Sequence, residues 1–375
     1  MQWAAIQGVR TRRDMTSAFL APHAMKRVQA VISWAQRNGL FFALVILSIY
    51  FSTVSHHFLT ASNISVVLLQ VSVVGIMAIP GAMLVLSGYV DLSVGSVSGL
   101  TAVVFAWLFQ VHTPELLALF LALAAGTGWG VMNGYLISYL GFSPIIVTLG
   151  GLAGARGLAE VITQGYTVFG FGPQFAFLGN GTILSLPVPV WIFAVAFLLG
   201  AYAWYQAPYG RWMTGIGADR GAARSLGIPV QRIPFILYTL SGFAAALGGL
   251  IVTSQLDAGS ETIGTGAELD VLTAILLGGV SFYGGRGSLF GVLWGVLFIG
   301  VLANGLVQIN ISPFFSQFAV GIALVFAAAL DVLYQRLDRV QLAEEAEAAP
   351  PTELEEDLLQ DTLLSSQGGG THEVV

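Results

Sequence analysis

Arg156 and Glu160 stand four residues apart in an otherwise uncharged apolar stretch, so a helix sets one above the other on a single face. In low dielectric such a pair neutralises itself, and it serves either to fix helix packing or to line a path for a polar solute. Asp91 and Ser93 precede another apolar run, where they act either as a helix cap for orphan backbone N–H groups or as part of a pore or gate. Glu268 and Asp270 open a third, and the positive end of a helix dipole favours carboxylates there. Asn133, Thr148, Gln164, Gln255 and Asn304 are neutral polar side chains in or beside apolar sequence, suited to brief contacts with hydroxyl groups.

Other chemistry is excluded by what the chain lacks. Its one lysine is Lys26, so the phosphate-cradling pattern GxxxxGK[ST] cannot occur and the chain is no self-powered P-loop ATPase. GxSxG, HExxH and GxGxxG are all missing, and five histidines are scattered without metal-ligand spacing. His56 and His57 read as a solvated pair in a loop. With no cysteine there is no disulfide, thiolate metal site or cysteine nucleophile. No metal and no cofactor is expected in this chain, and it is not expected to be an enzyme.

The elements that must position these residues are membrane helices. Of 375 residues 56% are hydrophobic and 9% charged, far below the quarter typical of a soluble domain. The 46 glycines suit closely approaching membrane helices. Apolar stretches predict about ten transmembrane helices, at 39–54, 64–79, 94–109, 116–140, 145–162, 188–204, 233–253, 269–280, 289–307 and 314–333, the eighth unusually short. Pro80, Gly81 and Gly88 predict a broken or re-entrant helix after the second span, tolerated only against protein or a water-filled cavity.

Basic residues give an orientation. With the N-terminus inside, Arg211, Arg220, Arg224, Arg232, Arg286, Arg336 and Arg339 all fall on the cytoplasmic side, and the loops assigned outside contain neither lysine nor arginine. Three parts are expected: a basic cytoplasmic segment at 1–38, a transmembrane domain at 39–335 and an acidic, disordered cytoplasmic tail at 336–375. The net charge of −6 comes from that tail, since residues 341–375 carry nine acidic and no basic side chains. No footprint for nucleic acid is present, and no apolar core follows Arg12 and Arg13 closely enough to make a signal peptide.

The longest cytoplasmic loop, 206–233, contains a short helix predicted over 219–226. Asp219 caps it, Arg220 and Arg224 lie at i and i+4, and Gly227 ends it before Pro229. Such a helix either binds lipid headgroups or inserts as a knob into a cytoplasmic subunit.

The motifs SGYVDLSVGS (87–96), GVMNG (130–134), SPIIVTLG with ARG (143–157), FAFLGNG (175–181), GADRGAARSLGI (217–228), GAELDVLTAILLGGVSFYGGRGS (266–288), LANGL (302–306) and ISPFF (311–315) occur in this order. In them the chain resembles the permease subunits of bacterial ABC sugar importers of the ribose, xylose, arabinose and galactose type, over roughly 63–331. The resemblance implies an all-α integral membrane permease bundle that carries a monosaccharide, pentose or hexose, across the bacterial cytoplasmic membrane. It implies three partners besides membrane lipid: a tandem-cassette ATPase that uses ATP and Mg, a periplasmic or secreted sugar-binding protein, and a second permease copy, identical or sister.

By the same resemblance Gly217, Asp219, Ala222, Ala223, Arg224 and Gly227 belong to a coupling helix that docks on the ATPase. Candidates for the translocation path or gate are Asp91, Ser93, Asn133, Thr148, Arg156, Glu160 and Asn304. The chain departs from the family at Asp219, Arg220 and Gly221, which make its coupling surface more basic, and at Phe282, Tyr283 and Ala303. The alternative to an ATP-driven importer is an ATP-independent secondary carrier of a small polar solute.

Overall fold

The computed structural model describes residues 39–348. The basic segment 1–38 and the part of the acidic tail at 349–375 lie outside the described residues. The first compact unit is Met1–Ala328; the second is Ala329–Val375, whose described residues are helical as far as Ala348.

The fold is all-α apart from four two-residue strands. Thirteen α-helices are described: α1 (Gly39–Val54), α2 (Ala61–Leu86), α3 (Val94–Gln110), α4 (Glu115–Ser138), α5 (Pro144–Thr163), α6 (Pro173–Asn180), α7 (Val188–Ala201), α8 (Pro208–Ala218), α9 (Arg220–Ser225), α10 (Arg232–Leu256), α11 (Ala267–Leu277), α12 (Leu289–Gln308) and α13 (Pro313–Ala348). A π-helical turn, Tyr202–Gln206, extends α7. Strand β1 (Val168–Phe169) pairs antiparallel with β4 (Ala258–Gly259), and β2 (Thr182–Ile183) with β3 (Leu186–Pro187).

A helix lies at each place where the apolar pattern predicts one. Among the described residues seven are long and apolar enough to cross a membrane, while α1 and α3 are shorter apolar helices. The eleven residues of α11 reach only about 16 Å at 1.5 Å each, half of a ~30 Å hydrocarbon core.

Helices α2 and α10 form the centre, with α10 packed on α2, α3, α4 and α6. Their interiors are lined by small residues. Gly130 on α4 faces Gly242 on α10 so closely that a methyl group on either would strike the other helix's backbone, which is how two membrane helices gain dispersion contacts without a hydrophobic driving force. By contrast α4, α5 and α7 turn large apolar side chains such as Phe120, Ile146 and Leu198 outward, as lipid-facing helices do.

A break is expected over Pro80, Gly81 and Gly88; the helix is continuous at Pro80 and Gly81 and ends just before Gly88. Helix α2 runs through Pro80 and Gly81, both buried, to Leu86. Proline removes one intrahelical bond, but α7, α11 and α12 pack along α2 and hold it in helical form. The interruption comes later, at residues 87–93, where backbone leaves the helix and stays largely buried before α3 begins.

Candidate functional site

Helix α9 is built as a rigid knob. Asp219 Oδ1 accepts from the backbone N–H of Gly221 at 2.7 Å and of Ala222 at 3.0 Å, satisfying two orphan donors. At the other end Gly227, with φ +77°, turns the chain out. The Gly227 N–H donates to Arg224 O and the Ile228 N–H to Ala223 O, both at 3.0 Å, the pattern of a Schellman cap. Ala223 is buried and anchors the helix, while Ala222, Arg224, Ser225 and Leu226 face outward, Leu226 being 80% exposed.

Beneath α9 three chain segments converge. Gly285 N–H donates to Leu86 O at 2.8 Å, and Gly217 sits so close to Leu86 and Gly285 that any side chain there would collide with backbone. The turn of Gly284, Gly285 and Gly287 thus seats the end of α8 against the end of α2. Arg220 lies over the Tyr89 ring, 5.9 Å from its centroid, tying α9 to the segment that leaves α2.

From Tyr89 that segment runs inward. Val90 O accepts from Tyr238 Oη at 2.9 Å. Asp91 Oδ1 accepts from the Ser93 N–H at 2.9 Å and Ser93 Oγ at 2.6 Å, and its Oδ2 accepts from Ser241 Oγ at 2.8 Å. Asn133 Nδ2 donates to Ser93 Oγ at 3.0 Å. The four side chains form one polar chain linking α10, the 87–93 segment and α4. Ser241 is nine residues from the start of α10, about 13 Å along its axis. Asp91 therefore caps backbone and bolts helices at once.

Helix α3 begins at that depth, and the loop before α11 meets it. Glu268, in the first turn of α11, lodges against Gly95 in the first turn of α3, leaving no room for a side chain there. Glu268 Oε2 is buried there without a hydrogen-bond partner among the described residues. Arg156 lies within electrostatic reach of Glu268 and donates from Nη1 to Ile263 O at 3.4 Å. The neutral pair expected along α5 is not formed: Glu160 is exposed, and Arg156 turns to the loop before α11.

The remaining candidates are placed as follows. Thr148 is fully buried and its hydroxyl donates to Pro144 O of its own helix at 2.8 Å. Asn304 is buried and pairs with Asn63 across α12 and α2. Asn133 Oδ1 and Trp129 Nε1, one helical turn apart, are buried without a protein partner and both face Gly151. Among the described residues no three His, Asp or Glu side chains gather as a metal site.

A family profile described as the permease component of a branched-chain amino acid transport system matches residues 63–328. The ribose import permease protein RbsC of Escherichia coli K12 is 34% identical over 303 residues, covering 80% of this chain and 94% of that protein. RbsC of Bacillus subtilis 168 is 37% identical over 298 residues, covering 79% and 92%. The L-arabinose ABC transporter permease protein AraH of Azospirillum brasilense is 30% identical over 335 residues, covering 89% and 98%. No solved structure matches. The chain belongs to the permease family of ABC transporters.

The permease is thus a transport subunit and a multi-pass membrane protein, and its matched region holds every motif on which the resemblance rests, from SGYVDLSVGS to ISPFF. Several residues that organise its interior carry no local signal in sequence. Asn63, Tyr238 and Ser241 look like ordinary polar punctuation in apolar runs, and only their distant partners, Asn304, Val90 and Asp91, reveal what they do.

Proposed function

We propose that this permease forms the membrane path for a monosaccharide, pentose or hexose, in an ATP-driven, binding-protein-dependent importer of the bacterial cytoplasmic membrane. A tandem-cassette ATPase supplies the work with ATP and Mg, a sugar-binding protein delivers the solute, and a second permease copy completes the path. The relatives named for ribose and arabinose support a sugar.

The observation that carries this reading is α9: a helix capped at both ends, seated by Ala223 and presenting Arg224 and Leu226 outward. A short helix capped at both ends keeps its shape when it inserts, which suits a knob that docks into a protein groove. In this reading both termini and α9 lie on the cytoplasmic side, the chain crosses ten times, and 87–93 with the loop before α11 are the interruptions that let α3 and α11 start within the membrane.

The test is uptake of labelled sugar in vesicles holding permease, ATPase and binding protein. Arg224→Glu is expected to abolish ATP-dependent uptake while the permease still inserts. Uptake that persists without ATP or the ATPase would favour a secondary carrier instead.

A further inference from the structure

A cleft of about 460 Å³ opens beside α9. Arg220, Gly221 and Arg224 line it from α9, Ser138 and Gly141 from the end of α4 and the turn that follows, and Gln231 from the start of the next helix. Among the described residues no carboxylate lines it.

Three features suit the cleft to an anion. Arg220 and Arg224 are one helical turn apart, so both guanidinium groups stand on one edge of the cleft. Arg220 is held by the Tyr89 ring, which limits the freedom it must lose on binding. Ser138 is 1% exposed, and its Oγ is buried without any protein partner, an unusual state for a hydroxyl. The carboxylate nearest in sequence, Asp219, already accepts two backbone bonds as the helix cap. Like charges at i and i+4 weaken a six-residue helix, and a bound anion removes that repulsion.

We infer that this cleft takes an aspartate or glutamate side chain of the cytoplasmic ATPase, held by Arg220 and Arg224 with the Ser138 hydroxyl as a further donor. The inference rests on the docking role proposed for α9 and names the chemistry of the contact. Two adjacent guanidinium forks, one of them held over the Tyr89 ring, and a hydroxyl suit a planar carboxylate, whereas a lipid phosphate on a mobile headgroup needs only point charges. The 206–232 segment also offers four arginines against the single, internally bonded Asp219, so its surface is complementary to an acidic protein groove.

The experiment uses the full-length permease in lipid nanodiscs and the purified ATPase, with binding followed as salt is raised. Arg224→Glu and Arg220→Glu are each expected to weaken ATPase binding about tenfold or more near 0.1 M salt and to flatten its salt dependence. Ser138→Ala is expected to weaken it severalfold, and an acidic-to-lysine exchange in the ATPase groove to restore binding to Arg224→Glu.

Because the chain has no cysteine, Leu226→Cys provides a unique cross-linking point that reports docking by itself. A cross-link to the ATPase with affinity unchanged in both charge reversals overturns the carboxylate inference alone. No cross-link overturns the docking role as well. Charge reversals that abolish binding of phosphatidylglycerol vesicles, yet leave ATPase affinity intact, assign the cleft to lipid and likewise overturn it.

Discussion

Asn63 and Asn304 exchange amides across 241 residues of chain: each donates its Nδ2 to the other's Oδ1, at 2.9 and 3.0 Å, and Gln308 donates a third bond to Asn63 Oδ1. Both are buried, so the pair joins the start of α2 to the far part of α12 where water cannot compete. Asn304→Ala and Asn63→Ala are each expected to lower stability in detergent by about 1 kcal/mol. The double variant should lose less than the two singles combined, read as apparent Tm in a double-mutant cycle.

The cap of α9 makes a second prediction. Asp219→Ala removes acceptors for two N–H groups and should cost about 1 kcal/mol of local helix stability. Stimulation of the ATPase by the permease is expected to fall while membrane insertion is unchanged. Asp219→Ser, which can still cap, should retain most of it.

Gly217 makes a third. An alanine methyl would meet backbone of Leu86 and Gly285, so Gly217→Ala is expected to strain the seat of α9 by about 1–3 kcal/mol. Cross-linking from Leu226→Cys should become slower or more heterogeneous in this background, and sugar uptake should drop with it. Gly221→Ala, which meets only the Asp219 carboxylate at 3.2 Å, should be far milder.

A fourth concerns Asp91. Asp91→Ala strands Ser241 and the Ser93 N–H in a buried setting and is expected to destabilise by about 1–3 kcal/mol. Asp91→Asn keeps acceptor and shape for part of the network and should lose less. Thermal unfolding in detergent checks the order.

Much of this was legible because membrane helices declare themselves by apolar length, and α9 by its local grammar of Asp219, paired arginines and Gly227. Side-chain partnership was less legible. A lone Asn in an apolar run reads the same whether it faces a solute or another amide, so the pairing of Asn304 with Asn63 has no local signature. Arg156 invited a partner on its own helix, yet the carboxylate that shares its surroundings, Glu268, is 112 positions away on an element whose depth no local pattern gives. Pro80 signalled a break by its own chemistry, but neighbouring helices decided where the break fell.

The interrupted stretch after α2 has a mechanical meaning. Tyr89 lies against Arg220 of α9, and four residues later Ser93 accepts from Asn133 in the interior. The stretch from Tyr89 to Ser93 therefore joins α9 to three interior anchors, Tyr238, Ser241 and Asn133, within five residues.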